Sequence, residues 1–283
     1  MSILSIQSHV SYGHVGNGAA TFPLQSLGYE VWPVNTVNFS NHTGYGKWAG
    51  QVLPPDHVRA IIHGIWDVAA DPCEAVLSGY VGDPAVGNVI LEAVQHTKNQ
   101  QSLYLCDPVM GDVGRGFFVK DGILDFFKIK GIPAANIITP NHFEAEALYG
   151  SPIHTLEEAQ SACHELSKWG PQTIVITSLE VPLPGTAAHT ISTLLFHQSH
   201  FWLGQTPRIN FEIAPNGTGD LFSALYLGHF LKTQNPATAL NLTLGHVYAI
   251  IEKTARLSKR ELQIIGHNYG NLACVDDVKI NAL

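Results

Sequence analysis

The sequence predicts an α/β fold built on a mainly parallel sheet with helices on both faces. Three observations point there. Short apolar runs at 2–7, 30–34, 75–78, 103–106, 136–139 and 173–177 alternate with longer stretches of helical spacing. Polar groups follow the ends of these runs, at Ser8, Gly79, Tyr80, Asp107, Asn141, Glu144, Thr177 and Ser178. In open α/β sheets ligands bind beyond the carboxyl ends of the strands, so these groups are expected along one edge. Finally, no repeat, low-complexity linker or charge block divides the chain, so residues 1–283 are expected to form a single domain.

Taken in order, residues 2–7 read as a buried first strand. No basic segment precedes them, which argues against a signal peptide. A Gly-rich turn over 8–18 leads to a helical pattern ending near Leu27, then a second strand at 30–34 and a loop rich in Asn, Thr and Gly over 35–50. After Pro54 and Pro55, apolar residues at Val58, Ile61, Ile62, Ile65 and Trp66 keep a helical period. The strand at 75–78 is followed by a helix from Pro84 to about Lys98, and the strand at 103–106 by a short helix at 121–127. Next come the strand at 136–139, a helix carrying Glu144, and a helix opened by Thr155, with Glu157 and Glu158 where the helix dipole favours them. Beyond the strand at 173–177, residues 191–196 and 199–203 read as an antiparallel pair, and 204–213 as a polar, irregular run. Helices are expected over 221–231 and 236–256 and again at 262–265, with a weakly patterned tail from Gly266.

Composition narrows the function classes. Hydrophobic residues make up 45% and charged residues 13%, enough for a sizeable core. A net charge of −8 without a basic cluster argues against nucleic acid or an anionic membrane as partner. No apolar run approaches the ~18 residues a spanning helix needs. The four cysteines (Cys73, Cys106, Cys163 and Cys274) are far apart and form no C-x-x-C, so reduced thiols in a cytoplasmic protein are expected.

The stretch Pro215-Asn216-Gly217-Thr218-Gly219-Asp220 opens the helix at 221–231. Glycine permits backbone conformations in which successive N–H groups face one ligand, and the helix N-terminus favours an anion there. Asp220 breaks that pattern, because a carboxylate repels phosphate unless it has a task of its own. Accepting a proton from a hydroxyl that attacks phosphorus is such a task, with the amides of Gly217, Thr218 and Gly219 holding the transferring group. An ordinary Gly-rich turn with a first-turn Asp fits the same residues. Asp107, held by Pro108 after a strand, is a candidate to attract Mg²⁺ through water, and equally an Asp-Pro turn. Asn141 and Glu144 have the spacing of a helix capping box, which does not prevent Glu144 from ordering metal-bound water. Ser8 and Thr43 offer hydroxyls to a small polar substrate.

Two familiar patterns fail. Gly13-x-x-Gly16-x-Gly18 has the wrong order for a dinucleotide fingerprint, and the second strand ends in Val34-Asn35 without the acidic residue. Gly46-Lys47-Trp48 lacks the Ser/Thr and the upstream glycine of a P-loop. The 15 histidines show no metal-ligand spacing.

In collinear order from residue 3 to about 255, the chain resembles the pyridoxal kinase branch of the ribokinase-like superfamily. The matching blocks are Gln7-Ser8-His9-Val10-Ser11-Tyr12-Gly13-His14-Val15-Gly16-Asn17, Asn38-Phe39-Ser40-Asn41-His42-Thr43-Gly44-Tyr45, Leu77-Ser78-Gly79-Tyr80-Val81-Gly82, Cys106-Asp107-Pro108-Val109-Met110-Gly111-Asp112, Pro140-Asn141-x-x-Glu144 and Gly217-Thr218-Gly219-Asp220. The first two are specific to that branch. The resemblance implies a ribokinase-like three-layer sandwich and an ATP-dependent kinase acting on the 5′-hydroxymethyl group of pyridoxal, with pyridoxamine and pyridoxine as further candidates. The alternatives are hydroxymethylpyrimidine or another small molecule as substrate, or a pyridoxal-binding protein without turnover. It implies Ser8, Thr43, Gly44 and Tyr80 at the substrate and Asp220 as the base. Asp107, Thr139, Glu144 and Thr177 fall on the nucleotide and metal side, joined by Thr206, Pro207, Arg208 and Ile209. Mg²⁺, a monovalent cation such as K⁺ and a homodimer come with the family. Position 177 is Thr where some bacterial relatives carry Lys, and 205–215 matches weakly.

Overall fold

The structure, a computed structural model, describes residues 1–98, 102–183, 189–270 and 278–283. Cys274, one of the four cysteines, lies outside them, and the other three are buried. The strands are β1 (Ser2–Tyr12), β2 (Glu30–Asn41), β3 (Gly50–Val52), β4 (Ala75–Ser78), β5 (Leu103–Cys106), β6 (Gly111–Asp112), β7 (Gly116–Phe117), β8 (Ile137–Ile138), β9 (Thr173–Leu179), β10 (Thr190–His197), β11 (His200–Pro207) and β12 (Lys279–Ala282). The helices are α1 (Asn17–Ser26), α2 (Pro55–Val68), α3 (Pro84–Lys98), α4 (Ile123–Phe126), α5 (Ile132–Ala134), α6 (His142–Tyr149), α7 (Leu156–Ser167), α8 (Thr218–Thr233) and α9 (Pro236–Arg256).

Ten strands form one sheet in the order β12-β11-β10-β9-β8-β5-β4-β1-β2-β3. The centre, from β9 to β2, is parallel, and antiparallel strands close both flanks. Because side chains alternate across a strand, each central strand feeds two cores. Leu4, Val76, Cys106, Ile138 and Ile174 pack beneath α2, α3, α6 and α7. Ile3, Ala75, Leu105, Ile137 and Val175 pack beneath α1, α8 and α9. This is the expected three-layer arrangement.

Several expectations need correction. β1 continues to Tyr12 and β2 to Asn41, past their apolar runs, because the two polar ends pair with each other in register from His9–Asn38 to Tyr12–Asn41. Ladder hydrogen bonds are indifferent to side-chain polarity. Likewise β11 runs to Pro207, so the first four residues of the expected irregular run are strand paired with β10. Residues 262–265 are not helical: 262–264 are irregular and a turn begins at Ile265. The hairpin of β6 and β7 and the edge strand β12 were too short for a periodic signal.

Helix α8 positions the site. It is buried from Leu221 to His229, and Gly228 lets α1 approach so closely that an added Cβ would stand 2.9 Å from Leu27. Tyr29 locks the same spot by donating its hydroxyl to the Gly228 carbonyl at 2.7 Å. Behind it, His229 stacks on His246 of α9 with ring centroids 5.2 Å apart, and His246 Nδ1 lies 2.9 Å from His267 Nε2. Burial, then neighbouring Lys232 for His229, and His229 and His267 for His246, push both imidazoles down to about 4. A base whose folded pKa is depressed contributes stability that is present above its unfolded value and lost as pH falls toward the folded one. The melting temperature is therefore expected to decline between pH 6.5 and 4, and His246→Gln to remove part of that decline in a thermal-melt series. An unchanged decline in the variant would acquit the pair.

Candidate active site

The carboxyl ends of β1, β4, β5, β8 and β9 deliver the polar groups to one rim. Gly217, at φ 89°, is the N-cap of α8, and Asp220 stands in the first turn. An added Cβ at Gly217 would overlap the His14 carbonyl oxygen, so only glycine lets the turn after β1 lie against this helix end. Two residues on, a Cβ at Gly219 would stand 4.0 Å from Asp107 Oδ2. Gly16 in turn lies against Ser8, and its amide draws the Asp220 carboxyl down against the effect of burial. Ser8, Gly16, Asp220, Gly219 and Asp107 thus form one continuous set.

Asp107 is held from below. Ser223 donates to its Oδ2 at 2.9 Å and lies 2.8 Å from the Thr139 hydroxyl. Ser223 was missed in the sequence, although it lies three residues after Asp220 and hence on the same helix face. Glu144 closes the capping box with Asn141, accepting the Asn141 N–H at 2.9 Å. Its other oxygen accepts the Met110 amide at 2.8 Å and that of Gly111 at 3.4 Å. Asn141 also donates to the Gly111 carbonyl at 2.8 Å, pinning the loop after β5 to α6.

These carboxyls repel one another in a buried place. Burial first, then the charges of Glu144 and Asp220, raise Asp107 well above the usual carboxylate range. Burial pushes Glu144 up to about 8 against the pull of the Asn141, Met110 and Gly111 amides. Asp220 is raised by burial, with the Gly16 amide pulling the other way. A raised carboxyl that keeps part of its surface exposed, as Asp220 does, suits a proton acceptor, and clustered hard oxygen ligands suit a cation. Among the described residues, however, no group of three or more His, Cys, Asp and Glu is set to cage a metal.

The substrate-side candidates lie opposite. Thr43 and Gly44 are in a 3₁₀ turn (Thr43–Tyr45), and a Cβ at Gly44 would stand 2.9 Å from the Asn216 side-chain amide. Tyr80 follows β4, half-buried, with its carbonyl accepting from Thr36 at 3.3 Å. Thr177 pairs with Asn141 as an isolated bridge and donates its N–H to Pro140 at 2.9 Å. Thr206 and Pro207 end β11, and the Arg208 N–H donates to His189 at 2.7 Å. That group, with Ile209, lies on the flank of the rim, separated from β5 by β10, β9 and β8.

Residues 29–264 match the phosphomethylpyrimidine kinase family model. Over 268 residues the chain is 48% identical to a pyridoxal kinase, PdxY, of Rubrobacter xylanophilus, covering 94% of this chain and 91% of that one. The corresponding enzyme of Corynebacterium diphtheriae is 47% identical, with 94% and 93% covered. The chain belongs to the pyridoxal kinase family. The solved structure of the Leishmania donovani pyridoxal kinase with ADP and pyridoxamine superposes with a TM-score of 0.87 at 29% identity, over 100% of this chain and 99% of that one. Membership in the family accounts for the ribokinase-like sandwich and gives the crowded rim a chemistry.

Proposed function

We propose that this protein is an ATP-dependent kinase that transfers the γ-phosphoryl group to the 5′-hydroxymethyl of pyridoxal, giving pyridoxal 5′-phosphate and ADP. The observation that carries the site assignment is the juxtaposition of Asp220 with the amide turn 217–219 at the start of α8 and with Asp107 across Gly219. Ser8, Thr43, Gly44 and Tyr80 bind the pyridine substrate and aim its hydroxymethyl at Asp220. The Asp220 carboxylate accepts the hydroxyl proton as the oxygen attacks phosphorus, and the bond to the ADP oxygen breaks. The amides of Gly217, Thr218 and Gly219 stabilise the equatorial charge of the transferring group. Asp107 and Glu144 would hold Mg²⁺ through water, together with phosphate oxygens, and the cation would neutralise charge on the nucleotide. Thr139, Thr177 and residues 206–209 lie toward the nucleotide, with K⁺ as an accessory cation. The chain works as one domain over 1–283, in the cytoplasm and as a homodimer; the buried, free thiols of Cys106 and Cys163 fit that compartment. No described helix is long and apolar enough to cross a membrane.

The matching family model keeps hydroxymethylpyrimidine as a second substrate reading. ADP release measured for pyridoxal, pyridoxamine, pyridoxine and hydroxymethylpyrimidine, with and without K⁺, separates them. The expected result is the highest kcat/KM with a B6 vitamer and loss of turnover on chelation of Mg²⁺. Preference for hydroxymethylpyrimidine would overturn the pyridoxal assignment, and pyridoxal binding without ADP formation would overturn the enzyme.

A further inference from the structure

We propose that Glu261 is a positioning residue that sets the substrate turn at 43–45 against the phosphate-binding turn at 217–219. It comes from a polar segment after α9 that carries no site motif, more than 200 residues along the chain from the turns it holds. Its side chain is buried, and both carboxylate oxygens are occupied. Oε2 accepts the His14 N–H at 3.2 Å. Oε1 accepts the Tyr45 hydroxyl at 2.7 Å and meets His42 Nε2 at 2.9 Å. The chain leaves room for this contact: Gly13 has φ 100°, and any Cβ there would overlap the Glu261 carboxylate. Although burial pushes its carboxyl up, the bonds from Tyr45 and His42 and the His14 amide hold it below the ordinary range, so it stays an anion that binds its donors strongly.

The preceding residue completes the clasp. Arg260 donates to the Gly44 carbonyl, and its guanidinium lies 3.7 Å from the Tyr45 ring centroid. The turn carrying Thr43 and Gly44 is therefore gripped by consecutive residues of one segment. The other end of the grip reaches the chemistry. His14 lies against Gly217, two residues before Gly16, whose amide favours the Asp220 carboxylate; Gly44 lies against the Asn216 side chain. Glu261 touches no reacting atom. It acts through His14, His42 and Tyr45, fixing how far the alcohol-bearing ring stands from the base. A misplacement of about 1 Å in such a geometry can cost ~10²-fold in rate.

The inference rests on the kinase reading, so the test separates the two. Steady-state constants are measured for wild type, Glu261→Gln and Tyr45→Phe with the alcohol that the wild type phosphorylates best, beside a calorimetric Kd for pyridoxal that needs no turnover. Glu261→Gln is isosteric but offers an amide N–H where a donor already points. Its kcat is expected to fall by up to ~10²-fold and its KM and Kd for the alcohol to rise ~10-fold, with the KM for ATP changed less than ~2-fold, as suits a misplaced alcohol and the loss of charge-assisted bonds on one substrate's side. Tyr45→Phe, which removes one donor, should move the same constants in the same direction by a smaller factor, and it decides the matter if Glu261→Gln does not fold. An alcohol KM and Kd equal to wild type, or equal losses for both substrates, would overturn the role. Failure of the wild type itself to phosphorylate any alcohol would instead overturn the functional reading.

Discussion

Asp220→Asn is expected to lower kcat by ~10²–10⁴-fold, the usual worth of a positioned general base, while leaving the melting temperature at or above that of wild type. The second part follows from burial. A carboxylate whose folded pKa is raised gives its full stability below the unfolded value and loses it as pH rises through the folded one. Burial works against the charged form of Asp220, whose charge also repels Asp107, and a neutral amide relieves both. Steady-state ADP release and a thermal melt on the same preparation check the pair of outcomes. Turnover within ~3-fold of wild type would remove Asp220 from the base role.

Gly217→Ala comes next. At φ 89° an alanine is strained, and its methyl would overlap the His14 carbonyl oxygen, which is backbone and cannot swing aside. Either the turn after β1 retreats, taking the Gly16 amide from Asp220, or the first amides of α8 rotate off the phosphate. Losing one preorganised donor typically costs ~10²–10³-fold in kcat, and that loss is expected here. Gly28→Ala supplies the control. Gly28 has φ 90°, follows α1, and has nothing within 4 Å of an added Cβ. It should lose roughly 1 kcal/mol of stability from strain alone and keep wild-type turnover. If both variants turn over alike, the clash with His14 is not what fixes the turn.

The parallel centre of the sheet was legible because its strands are buried on both faces and read as continuous apolar runs, and the sandwich followed from their alternation with helices. The same logic hid the ends of β1, β2 and β11, whose polar residues are strand only because a neighbour pairs with them. At the site, Asp107, Glu144 and Asp220 were legible because each follows a strand or a Gly-rich turn at a helix start, where local sequence fixes position. Glu144 is both a cap and a tie: its oxygens bind the Asn141 amide on one side and the loop after β5 on the other. Ser223 carried a weak local signal, its spacing from Asp220. Glu261 carried none. Its partners at 14, 42 and 45 are set by the folded path of the chain, which no nearby periodicity encodes.

The most direct test is a single-turnover measurement of phosphoryl transfer from ATP to pyridoxal, enzyme in excess, for wild type and Asp220→Asn alongside their dissociation constants. The mechanism requires the transfer step to slow at least ~100-fold in the variant with both dissociation constants within ~3-fold of wild type. Equal transfer rates, or a loss that lies wholly in binding, would contradict it.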